Sequence, residues 1–121
     1  MLFKGKFMRY LIGLVEFQTD RDIFEVANLI SEKIFSGLKF GGFEESIYEE
    51  IPALYLTNTI LGTKVVLSGQ KGFLKDNSYL LEIKPVDVEY HLLSETIDIQ
   101  SYLEDLFKVY FDFKIINESN E

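Results

Sequence analysis

The sequence predicts an α+β fold, with a mostly antiparallel sheet of about four to six strands packed by two helices at about 20–36 and 98–110. Three observations predict it. From Tyr48 to Pro85, YEEIPALYLTNTILGTKVVLSGQKGFLKDNSYLLEIKP, three β-rich runs are separated by turn chemistry, as in consecutive antiparallel strands. One segment before this stretch and one after it repeat apolar residues at helical spacing, so each presents a face that a sheet can cover. The 121 residues suit one core, and no repeat, low-complexity tract or linker divides them. Residues 1–121 are therefore expected to form a single domain, with 1–7 as a loose extension if Met8 is the functional start, and 117–121 as a frayed tail.

Met8 to Phe17 reads as the first strand, apolar on both faces, with Gly13 as a candidate bulge. In TDRDIFEVANLISEKIFSG, Thr19 or Asp20 can cap a helix by accepting from a free backbone N–H. Ile23, Val26, Ala27, Ile30 and Ile34 then form one stripe, while Arg21, Asp22, Glu25, Asn28 and Glu32 face away, and Gly37 can close the helix. Gly41-Gly42 marks a loop, and FEESIYEEIP after it is the densest charge cluster of the chain. Pro52 lacks an N–H and pushes Ile51 toward extended backbone, so the next strand starts at Ala53 or later and runs to Thr57. Thr63 to Ser68 and Ser78 to Lys84 follow as strands around a loop at Gly69 to Asn77, and Pro85 stops the second of them.

Val86 to Leu93 alternates Val88, Tyr90 and Leu92 with Asp87, Glu89 and His91, which predicts a further strand. In the second helix Asp98 is the expected cap, with Ile97 and Tyr102 at staple positions. Ile99, Tyr102, Leu103, Leu106 and Tyr110 are expected to face inward, and Gln100, Ser101, Glu104, Asp105 and Lys108 outward. Phe111 to Ile116 adds a short extended segment.

Composition narrows the chemistry. Without Cys there is no disulfide framework, thiolate metal site or thiol nucleophile, so packing alone must hold the fold. The apolar run Tyr10 to Val15 is cut short by Glu16, too short for a signal or spanning segment, which predicts a cytoplasmic protein without a membrane partner. Twenty acidic against twelve basic residues give a formal charge of −8. Residues 86–121 hold nine carboxylates against Lys108 and Lys114, whereas 64–84 lean basic through Lys64, Lys71, Lys75 and Lys84. A negative field repels phosphate backbones, so direct nucleic-acid binding is disfavoured and a basic protein partner is expected.

No cofactor or metal signature stands out. One His and no Cys disfavour zinc, and Glu45 and Glu49 would share a helical face only if Pro52 allowed a helix there. His91 beside Asp87 or Glu89 offers the one candidate general base, but alternating polar residues are also what a half-exposed strand requires. Ser68 lacks the glycine pattern of a nucleophile elbow and reads as a turn residue, and Gly69-Gln70-Lys71-Gly72 lacks the ending of a phosphate-binding loop. The surfaces remain. Glu44, Glu45, Glu49 and Glu50 surround Tyr48, and the last helix carries Glu104 and Asp105, so these seven are the candidate partner-binding residues.

In size, charge, lack of cysteine and mixed α+β pattern, with the stretch from Glu49 to Pro85, the chain resembles the small acidic immunity proteins encoded beside bacterial toxins, including those of contact-dependent inhibition systems. The resemblance implies tight binding to a toxin domain, often a nuclease, by occlusion of its active site or a neighbouring surface; a non-catalytic inhibitor that is a monomer or weak homo-oligomer is the expectation for this chain. Two alternatives stand beside it: a small enzyme or ligand-binding domain with a site assembled around His91 and carboxylates, and a structural subunit that oligomerises through an uncovered strand edge.

Overall fold

A computed structural model describes residues 9–42, 53–70, 78–86 and 95–116. They form an α+β domain in which two helices pack on a seven-stranded sheet. In chain order the elements are β1 (Arg9–Gln18), α1 (Ile23–Lys33), β2 (Phe40–Gly41), β3 (Ala53–Leu56), β4 (Thr63–Gln70), β5 (Ser78–Pro85), β6 (Glu95–Asp98), α2 (Gln100–Tyr110) and β7 (Lys114–Ile116). Of the expected strand at 86–93 only Val86 is described, as a bend after β5; residues 87–93, the extension at 1–7, the tail at 117–121 and most of the 69–77 loop lie outside the described residues.

The sheet order is β2-β3-β4-β5-β1-β6, and β7 also pairs with β1. β3 to β5 are consecutive antiparallel neighbours, as the turn chemistry implies, and β2, which takes in Gly41 where the sequence suggests a loop, pairs antiparallel with β3. β1 then lies antiparallel to β5, and its outer edge is shared: β6 runs parallel beside Arg9 to Ile12, and β7 antiparallel beside Glu16 to Gln18.

Strand alternation puts one apolar row straight across the sheet, because Val15 pairs with Leu81, Leu81 with Leu67, and Leu67 with Leu54. All four are buried in one cluster with Ile23, Val26, Ala27 and Ile30 of α1 and Leu103 and Phe107 of α2, so both helices contribute to the same core. Burying each such aliphatic side chain stabilises by roughly 1.5–3 kcal/mol. At the end of β1, Phe17 lies 4.9 Å from Phe113, 5.1 Å from Phe107 and 5.7 Å from Tyr79, ring centre to ring centre.

Several expectations are corrected by the structure. The cap of α1 is Asp22, not Thr19 or Asp20: its backbone is extended and its carboxylate accepts from the Glu25 N–H at 2.9 Å. The apolar repeat begins at Ile23, so the residue just before it is the one whose side chain reaches the free N–H groups. Gly13 is no bulge, since its pairing with Ile83 is in continuous register; it is a point of close approach, where a Cβ would stand 2.6 Å from Leu103 Cδ1. Ser68 is no turn residue; it lies buried within β4, which runs on to Gln70.

Candidate protein-binding surface

The orientation of α2 is set at two points. At its start the Ile99 N–H donates to the Ile12 carbonyl at 2.8 Å, and Asp98, the last residue of β6, accepts from the Gln100 N–H at 2.9 Å. The position before the helix therefore belongs to Ile99, one residue later than the sequence suggests. Further along, Leu103 sits over the bare Cα of Gly13, and Phe107 is fully buried against Phe17, Phe111 and Phe113.

Once Leu103 and Phe107 point inward, the opposite side of the helix is fixed. Tyr102 is 60% exposed, Val109 73% and Tyr110 49%, and half-buried Leu106 lies between them. Tyr102, Leu106 and Val109 are spaced by four and then three residues, so they form a ridge along the outside of α2. The expected inward stripe is thus rotated: Leu103 faces in as foreseen, but Tyr102 and Tyr110 face solvent, and Phe107 takes the inner place.

The rotation also separates the two carboxylates of this helix that sequence reasoning had placed together. Glu104 is only 4% exposed and its Oε2 accepts from Gln100 Nε2 at 3.0 Å, which corrects its assignment to the outer face. A buried carboxylate needs such donors, and one turn of helix supplies this one. Asp105 is exposed on the ridge, next to Tyr102 and Val109 in helical spacing. The ion pairs of Arg9 with Glu95, of Arg21 with Glu25 and Asp112, and of Lys84 with Glu82 do not involve Asp105, which has no cation partner among the described residues.

Of the other candidates, Glu44, Glu45, Tyr48, Glu49 and Glu50 lie outside the described residues, as do His91, Asp87 and Glu89. Val109 and Tyr110 were missed as surface residues. The signal for them was the second apolar series on α2, Tyr102, Leu106 and Val109, which competes with Ile99, Leu103 and Phe107 for the inner face.

Open concavities lie elsewhere on the described residues. One, on the face of the sheet turned away from the helices, is lined by Ile12, Leu14, Glu82, Lys84 and Asp98, with Glu82 and Lys84 ion-paired at 3.9 Å. The other lies beside Gln18, Asp20, Arg21 and Asp112. There Arg21 is committed to structure: it pairs with Glu25 at 3.3 Å and Asp112 at 3.2 Å, and its guanidinium lies 6.0 Å from the Phe113 ring centre. Among the described residues no three His, Asp or Glu side chains come together as metal ligands, and no helix is long and apolar enough to cross a membrane.

Compared with protein-family models, curated proteins and solved structures, the chain finds no match. Function is argued from its own residues.

Proposed function

We propose that the protein is a binding module that neutralises a basic protein partner, in the manner of an immunity protein covering a toxin domain in the cytoplasm. The observation that carries this reading is the outer face of α2, where exposed Tyr102 and Val109 flank Asp105, a carboxylate without a cation among the described residues, on a chain of net charge −8. The two properties do different work. A net negative field raises the encounter rate with a cationic protein, by up to roughly a hundredfold at low salt, and selects against nucleic acid. Aromatic side chains then supply contact area at small entropic cost, because tyrosine has few rotors to fix.

α2 suits this task because it is held rigidly. Its inner side is fixed by Leu103 over Gly13 and by the aromatic cluster of Phe17, Phe107, Phe111 and Phe113, so a partner does not have to order it on binding. Inhibition by such a surface requires no chemistry from this chain; the partner's site is occluded. By sequence, Glu44, Glu45, Tyr48, Glu49 and Glu50 are of the same acidic and aromatic character.

The experiment is co-expression and co-purification with the product of the adjacent reading frame. The expected result is a basic protein that forms a complex with this chain and loses its activity in it. A neighbouring product that stays fully active and unbound at stoichiometric concentration contradicts the reading.

A further inference from the structure

We propose that the element received by the outer face of α2 is an amphipathic helix of the partner, with apolar residues on one stripe and Lys or Arg flanking it. The inference rests on the reading of the protein as a binder of basic partners and specifies how the partner is held.

α2 carries two apolar stripes where a surface helix needs one. Leu103 and Phe107 satisfy the sheet, and the outer Tyr102, Leu106 and Val109 repeat the four-and-three spacing by which one helix receives another. The ridge offers no unpaired backbone, so an extended strand could not add to it by hydrogen bonding. The nearest outer strand, β6, is four residues long and carries Glu95 and Asp98, the kind of edge that discourages strand addition.

Charge selects the occupant. Asp105 flanks the ridge, with exposed Lys108 one turn further on, so a helix laid along it brings its own flanking residues to a carboxylate that has no cation partner among the described residues. A second copy of this chain is the weaker fit, although it would also bring Lys108 toward the other copy's flank. In a two-fold antiparallel pairing that sets Tyr102 against Val109, the axis passes between residues 105 and 106 and brings the two Asp105 carboxylates together, on molecules that each carry −8. A Lys or Arg at the equivalent place turns the same contact into an attraction worth more as water is excluded from it.

The test uses a synthetic amphipathic helical peptide of about four turns, Leu on one stripe and Lys beside it, and a second peptide with Glu in place of Lys. Binding is followed by amide shift mapping and by titration against the native protein and the exposed-face variants Val109→Ser, Tyr102→Ser and Asp105→Lys. The expected result is that the Lys peptide shifts amides of residues 100–112, that each Ser variant weakens it roughly tenfold, and that Asp105→Lys reverses the preference in favour of the Glu peptide. Melting temperatures of the three variants should match the native protein, since none of these side chains is buried.

Shifts confined to another surface, an unaltered preference in Asp105→Lys, or concentration-dependent self-association of the protein through residues 102–110 would each overturn the inference. The two proposals fail separately. A neighbouring gene product that binds tightly but is indifferent to the α2 variants removes this surface and leaves the binder reading intact. A peptide that binds as expected beside a neighbouring product that does not bind leaves the surface and removes the proposed partner.

Discussion

The phenolic O–H of Tyr79 donates to the backbone carbonyl of Arg21 at 2.6 Å, tying β5 to the turn that launches α1. The bond closes a small network, because the side chain of Arg21 reaches on to Glu25 and Asp112. One residue thereby joins the start of α1, the middle of the sheet and the turn between α2 and β7.

Burial pushes the Tyr79 hydroxyl above the ordinary 10.0, with further push from the Asp22 and Glu25 carboxylates. Below pH 10 the tyrosine is protonated in both folded and unfolded chains, and its contribution is fully present. Between 10 and the raised folded value the unfolded chain gives up the proton first, so stability falls as pH rises. Tyr79→Phe should be less stable at neutral pH by about 1 kcal/mol, the usual net worth of such a bond. Chemical denaturation on both proteins should show the gap narrowing above pH 10; a constant gap contradicts the assignment.

Gly13→Ala tests the close approach that seats α2. Its new methyl group would meet Leu103 at 2.6 Å and Ile99 at 3.2 Å, both side chains that pack into the core. Overpacking of this kind costs about 1–3 kcal/mol. The expected outcome is a lowered melting temperature together with displaced Tyr102 and Val109, read by amide shifts along α2.

Phe107→Ala removes a ring of the aromatic cluster that is fully buried among Phe17, Phe111 and Phe113. A loss of about 3–5 kcal/mol is expected. The capping substitution Asp22→Ala should cost only about 1 kcal/mol. Equilibrium unfolding distinguishes the two, and similar losses for both would contradict the assignment of the core.

The legible parts of this fold were those whose pattern has one solution. β3, β4 and β5 stood out because turn residues bracket runs of alternating apolar side chains, and α1 because only one of its faces is apolar. β6 did not, since all four of its residues are exposed and Glu95-Thr96-Ile97-Asp98 carries no strand period; its place is set by pairing with the distant Arg9 to Ile12. The rotation of α2 was hidden for a related reason. Both sides of that helix are apolar, and the choice between them is made by Gly13, which only the fold brings beneath Leu103. Hence Asp105 was found on the surface as expected, whereas Glu104 beside it was not.

Charge should act on encounter more than on stability. Reversal of Glu49 and Glu50 together is expected to slow association with a basic partner and flatten its salt dependence, with little change in melting temperature. Stopped-flow mixing of the double variant at low and high salt checks this; an unchanged rate removes those two residues from the binding surface.

The most direct measurement is the association rate of Asp105→Lys with the proposed basic partner, sought as the product of the adjacent reading frame, followed across a salt series. The expected rate is several-fold below that of the native protein at low salt, with the two converging at high salt as the field is screened. A native rate indifferent to salt and equal to that of the variant would contradict it.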